Sequence, residues 1–219
     1  MDIELARANM LNNHIRSRNV TSKSVLNALK DIQREKFVPD KYQGLAFADI
    51  NIPLDATTES YLMSPSFTGL LLQALNISKQ DKVLEIGSGV GYLTALLSKL
   101  AKEVLSYGQD KNLFSTAKAN LDSIGVKNVL LQVGDALRVN FDDKKFDVIV
   151  FTSSYRLFPE KFIDYLNMNG RIFIVLGTLP IMKATIIKKI SDRKFDTEQL
   201  FETVLPFAQK EAVVKKFIF

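Results

Sequence analysis

The sequence predicts an α/β fold, a seven-stranded, mostly parallel sheet with helices on both faces and a helical annex at the N-terminus. Three observations carry this. From Pro65 onward, apolar runs of strand length alternate with segments of helical period, the pattern of strands joined by helical crossovers. One of those runs, Val83-Leu84-Glu85-Ile86, passes straight into Gly87-Ser88-Gly89-Val90-Gly91 and then into a helical pattern. Residues 1–38, by contrast, read as helix in two pieces.

The first piece of the annex runs from about Leu5 to Arg18; the second opens at Thr21 or Ser22 as N-cap and puts Val25, Leu26, Leu29 and Ile32 on one face. Prolines and short apolar runs break the period at Phe37-Val38-Pro39 and over residues 46–54, which predicts an irregular strand-and-loop segment able to cover a pocket. A helix resumes at Pro65, with Phe67, Leu70, Leu71, Ala74 and Leu75 on its apolar face. Strands are expected at 82–86, 103–107, 129–133, 146–152, 170–175, 184–190 and 213–219, and helices at 91–99, 112–124 and 159–166, with Asn169-Gly170 as a turn. A single domain over 1–219 is expected, with 1–62 as an N-terminal segment on the substrate side and 63–219 as the core, because two halves of a 219-residue chain would each be marginal.

Composition narrows the chemistry. With no cysteine, the chain has no disulfide, thiolate nucleophile or cysteine-bound zinc, and His14, the single histidine, argues against a metal site or a histidine triad. No run reaches eighteen apolar residues and Met1-Asp2-Ile3-Glu4 lacks the pattern of a secretory signal, so a soluble cytoplasmic protein without a membrane partner is expected. The net charge of +5 is spread over isolated lysines such as Lys82, Lys99, Lys118 and Lys144, which reads as a solvated surface and not as a nucleic-acid interface.

The glycine-rich turn has the context of a nucleotide-type cofactor site, since a strand, a turn with little side-chain bulk and a helix N-terminus let backbone approach a ligand closely. Dinucleotide enzymes show G-x-G-x-x-G, whereas this turn reads E-x-G-x-G-x-G. An acid at the strand end repels phosphate but suits an ammonium and a sulfonium, which favours S-adenosylmethionine over NAD and disfavours a NAD-linked oxidoreductase. After the third strand, Gly134-Asp135-Ala136 offers an acid and an apolar neighbour for an adenine amine.

These residues, Val83 to Tyr92, Gly134-Asp135, Phe146-Asp147-Val148-Ile149-Val150 and Leu166 to Arg171, together with Arg34-Glu35-Lys36-Phe37-Val38-Pro39 and Ala46-Phe47-Ala48-Asp49, resemble the protein-L-isoaspartate O-methyltransferase family of class I methyltransferases. The resemblance covers about residues 6 to 178, and the C-terminal part and the Leu62-Met63-Ser64-Pro65 form of the substrate segment are similar to a divergent bacterial branch. It implies a Rossmann-like fold and methyl transfer from S-adenosylmethionine to a carboxylate of a damaged aspartyl residue, with an isoaspartyl protein or peptide as partner. The cofactor-holding set it implies is Glu85, Gly87, Ser88, Gly89, Gly91, Tyr92, Gly108, Gln109, Asp135, Ala136 and Thr152, with no metal; Ser64, Thr58 and Ser60 fall on the acceptor side, and Thr152-Ser153-Ser154 line the cleft. A carboxylate acceptor is already ionised at neutral pH and needs no general base.

Two positions depart from the family pattern. Met63 stands where the family places a serine, with Ser64 one residue later, and Gly108 ends the second core strand where the family has an acid that takes the ribose hydroxyls. Losing that acid costs about one to three orders of magnitude in cofactor affinity unless Gln109 or Asp110 compensates. The two departures motivate two alternative readings, a binding protein of methyltransferase fold without turnover or a methyltransferase of another substrate.

Overall fold

The computed structural model describes residues 2–55, 60–142, 144–192 and 194–208. Helix α1 (Ile3–Asn9) is capped by the Asp2 carboxylate, which accepts the Leu5 N–H at 3.1 Å. The chain then winds through a wide turn, Met10–Ile15, and a tight one, Arg16–Arg18, so the expected helix over 5–18 is three successive windings closed by Asn19 in the left-handed region. Helix α2 (Lys23–Asp31) starts after Ser22 and buries Val25, Ala28 and Leu29. Ser22 does not cap it with its hydroxyl. The Thr21 and Ser22 N–H groups donate instead to Gln73 Oε1, at 2.7 and 3.0 Å, which ties the annex to the core helix carrying Gln73.

The irregular segment that follows holds two short strands, β1 (Ile52–Pro53) and β2 (Tyr61–Leu62), paired antiparallel. Helix α3 (Pro65–Leu75) begins with proline at its first position, where no helical N–H is needed. Then β3 (Lys82–Ile86), α4 (Tyr92–Leu100), β4 (Glu103–Gly108), α5 (Lys111–Ser123), β5 (Val129–Val133), β6 (Phe146–Tyr155), β7 (Leu166–Thr178), β8 (Ile181–Ser191) and β9 (Lys194–Thr203) complete the described elements. The seven long strands form one sheet in the order β5-β4-β3-β6-β7-β8-β9. The first five run parallel, and β8 and β9 extend the sheet antiparallel.

Alternate residues of the central strands feed two cores. Val83, Val104, Val148, Val150, Phe173 and Val175 join the larger, which takes the apolar faces of α2, α3, α4 and α5. Leu84, Ile86, Ile149, Phe151, Ile172 and Ile174 face the other, filled by Phe141, Phe146 and Phe162 with Tyr165 against them in mostly edge-to-face contact. Each such buried side chain contributes about 1.5–3 kcal/mol, so the periodicity that buries both faces fixes the register of the sheet.

Two expected elements are corrected. Residues 159–166 form no α-helix but only one short 3-10 turn, Glu160–Ile163, which delivers Phe162 into the aromatic core, and Leu166 already belongs to β7, paired with Phe146. The seventh strand of the sheet is β9, which the sequence reading passed over, while the strand expected at 213–219 lies outside the described residues. Among the described residues, no helix is long and apolar enough to cross a membrane.

Candidate cofactor and acceptor cleft

From β3 the chain moves to β4 on one side, and it later returns to place β6 on the other. Crossovers that leave a strand in opposite directions open a crevice at its carboxyl end, and the glycine turn sits there. Gly87, Gly89 and Gly91 all take positive φ, at 109°, 51° and 87°. The turn is laced to both neighbouring strands. The Gly87 and Ser88 N–H groups donate to the Tyr107 carbonyl of β4 at 2.8 and 3.0 Å, and the Thr152 hydroxyl of β6 lies 3.0 Å from both the Ile86 and the Gly87 carbonyl oxygens. A Cβ on residue 87 would lie 1.9 Å from Thr152 Oγ1, so only glycine fits. Beyond the turn, the first N–H groups of α4 have no acceptor within the helix and give the crevice a positive end.

Glu85 is completely buried beneath this turn and does not line the cleft. Its Oε2 accepts from Thr94 Oγ1 of α4 and Ser106 Oγ of β4, each at 2.6 Å. Burial pushes its pKa up to about 7, with the two hydroxyls opposing the rise. The sequence reading placed this acid against a positively charged ligand. The structure makes it a tie between strand and helix that shapes the turn from below.

Tyr92, the first residue of α4, lines the cleft and is almost completely buried. The guanidinium of Arg34, fully buried, lies 5.2 Å from the centre of that ring, and Arg34 Nε donates to the Ala46 carbonyl at 3.0 Å. Burial holds the Arg34 pKa below its usual value, countered by Tyr92 and the charge of Asp49. Asp49 in turn accepts the Ser66 N–H at 2.9 Å at the start of α3. The two N-terminal segments that carry the family resemblance, 34–39 and 46–49, therefore brace the glycine turn from behind. Spacing alone gave no sign of this contact, because 58 positions of chain separate the partners and neither motif has a ligand-binding composition.

Around the crevice, Leu54, Ser60, Tyr61, Leu62 and Met63 form one wall, Tyr107, Gly108, Gln109, Asp110 and Leu113 a second, and Thr152, Ser153 and Tyr155 a third, with Gly134 and Ala136 beside them. Pro206, Phe207 and Ala208 close the third wall as a strap along the end of β6: the Ser154 N–H donates to the Pro206 carbonyl at 2.8 Å and the Ala208 N–H to the Ser154 carbonyl at 3.1 Å.

Of the expected cofactor set, Gly87, Ser88, Gly89, Tyr92, Gly108, Gln109, Ala136 and Thr152 meet the cleft. Gly91 is the N-cap of α4 and faces Ala117 of α5, and Asp135, between the cleft-lining Gly134 and Ala136, accepts the Leu137 N–H at 3.0 Å and pairs with Arg138. On the acceptor side Ser60 lines the cleft and Thr58 lies outside the described residues. Ser64 does not line it. Its hydroxyl accepts the Phe67 N–H at 3.3 Å as the N-cap of α3, and Met63 lines the cleft instead. Within 152–154, Ser154 is buried and its hydroxyl donates to the Leu205 carbonyl at 2.9 Å, so only Thr152 and Ser153 meet the cleft. Leu54 ends the segment expected to cover a pocket and does line the cleft, whereas Tyr155 and the strap were not singled out from the sequence; only the fold assembles them.

Comparison with known proteins gives a consistent result. The family model described as protein-L-isoaspartate(D-aspartate) O-methyltransferase matches residues 5–211. A protein-L-isoaspartate O-methyltransferase of Petrotoga mobilis is 30% identical over 199 residues, covering 90% of this chain and 92% of its own. One of Koribacter versatilis is 33% identical over 191 residues, covering 86% and 84%. A solved protein-L-isoaspartate O-methyltransferase structure matches with a TM-score of 0.81 at 25% identity over 92% of this chain, which spans 65% of that longer one. A Plasmodium falciparum protein solved with S-adenosyl-L-homocysteine shares the fold, at a TM-score of 0.79 and 20% identity.

Proposed function

We propose, because the chain belongs to the protein-L-isoaspartate(D-aspartate) O-methyltransferase family, that this S-adenosylmethionine-dependent methyltransferase esterifies the carboxylate of isoaspartyl residues in proteins or peptides. One observation carries the reading: the match over residues 5–211 includes every wall of the cleft, the acceptor side as well as the glycine turn.

The residues present fit the cofactor. The Gly89 and Val90 N–H groups and those of the first turn of α4 suit its carboxylate, Tyr107, Leu113 and Ala136 offer apolar surface for adenine, and the buried Ser88 hydroxyl makes no hydrogen bond among the described residues. Bound S-adenosylmethionine supplies an activated methyl group: as the acceptor oxygen bonds to it, the sulfur–carbon bond breaks, sulfur keeps the electron pair, and no proton is transferred. The protein's task is then alignment and exclusion of water. Met63, Leu54, Tyr155 and Phe207 give the acceptor side an apolar lining, and the hydroxyls of Ser60 and Ser153 are the polar groups we assign to orienting the acceptor.

A second reading, cofactor binding without turnover, rests on Met63 lining the cleft at the family's serine position. Both are decided by incubating the protein with methyl-labelled S-adenosylmethionine and a peptide pair that differs only in isoaspartyl against aspartyl linkage. Base-labile label on the isoaspartyl peptide alone is the expected result. Label on neither peptide, with S-adenosylhomocysteine bound in calorimetry, selects the second reading.

A further inference from the structure

We propose that the Ser88 hydroxyl is the ribose-recognising group of this protein and stands in for a side chain at position 108; the proposal rests on the cleft binding S-adenosylmethionine as above. Ser88 is 4% exposed, lines the cleft, and its Oγ has no hydrogen-bond partner among the described residues. A buried hydroxyl without a partner is costly, and one at a ligand cleft is satisfied when the ligand supplies the missing bond. Its position is fixed at both ends, since the Ser88 N–H donates to the Tyr107 carbonyl and the Ser88 carbonyl accepts from the Gly91 N–H at 2.8 Å.

The neighbour of that hydroxyl identifies the ligand group. In doubly wound sheets the residue that receives the ribose ends the strand after the glycine turn, about 20 residues further on. Here that residue is Gly108, the last of β4. A Cβ on it would lie 2.3 Å from Ser88 Oγ, so the serine hydroxyl occupies the space from which a side chain at 108 would reach the ribose. Two neighbouring polar side chains already have partners: Ser106 is engaged by Glu85, and Asp110 accepts the Asn112 and Leu113 N–H groups at 2.7 and 3.0 Å.

The test is a cycle between residue and ligand. Affinities for S-adenosylhomocysteine and for its 2′,3′-dideoxy analogue are measured by calorimetry on the full chain and on Ser88→Ala, together with the melting temperature of each protein without ligand. Ser88→Ala is expected to weaken S-adenosylhomocysteine by about tenfold, leave the dideoxy analogue unchanged, and not lower the melting temperature. A structural role would lower the melting temperature and weaken both ligands alike. In Ser88→Ala/Gly108→Glu a Cβ at 108 meets only the Cβ of residue 88, at 3.6 Å, and the preference for the hydroxylated ligand is expected to return. Equal loss for both ligands, or no loss in Ser88→Ala, overturns the proposal while leaving cofactor binding intact. Failure of the unmodified protein to bind either ligand overturns it together with the reading on which it rests.

Discussion

Glu85 has no solvent exposure and two hydroxyls as its hydrogen-bond partners, which makes it both legible and misleading in the sequence. The spacing of an acid two positions before the first glycine identified the turn correctly, but a strand pattern does not say whether the carboxylate faces the ligand or the layer beneath. Ser64 misled for a related reason. A serine directly before a proline that opens a helical pattern is an N-cap signature, and that local role uses the hydroxyl expected at the acceptor. The buried carboxyl has a measurable consequence. Its pKa is about 7 in the folded protein against 4.5 for the free group, so between these values the folded state holds a proton that the unfolded state has released. Stability therefore falls as pH rises from 4.5 to 7, by an amount on the order of a few kcal/mol, and the deficit persists above 7. Glu85→Gln, which mimics the protonated form, is expected to flatten this part of the profile and to raise the melting temperature at pH 8. Parallel melting curves of the two proteins from pH 4.5 to 8 check it, and identical slopes would show that Glu85 titrates alike in both states.

At the scale of elements, the parallel strands and α4 and α5 were legible because each buries a face with regular period, and those periods are what the fold satisfies. The failures lie where burial is irregular. Strand β9 is exposed along most of its length and pairs with β8 through two register shifts, so no alternation marks it. Residues 159–166 carry Phe162, Ile163 and Leu166 at helical spacing, yet the aromatic core and the pairing of Leu166 with Phe146 draw the segment into a turn and a strand. The annex depends on Arg34, whose long side chain fills space behind Tyr92 and ties Ala46. Arg34→Ala is expected to cost about 2–4 kcal/mol through the cavity it leaves. Arg34→Met is expected to recover at least half of that, because packing against the ring outweighs a buried charge with few partners. Urea unfolding of the three proteins gives the comparison; a methionine variant as unstable as the alanine one would assign the energy to charge.

For the whole molecule, the cleft is where distant parts of the chain converge. The glycine turn belongs to the sheet, Leu54 and Met63 come from the segment after the annex, and Pro206 to Ala208 return from the last described residues to lie along β6. A ligand that fills the cleft touches all three and stabilises them together. Saturation with S-adenosylhomocysteine at a hundred times its dissociation constant adds about 2.7 kcal/mol, which for a chain of this size raises the melting temperature by roughly 5–10 °C. The distribution of that gain is the sharper expectation. Hydrogen exchange should slow together in the turn at 87–93, in 60–63 and in the strap at 205–208, because each loses solvent access when the crevice is filled. Protection confined to 87–93 would mean that the cofactor sits on the sheet alone and that the two outer walls are reserved for the acceptor, in which case adding an isoaspartyl peptide with the cofactor product should protect 60–63 and 205–208 in a second step.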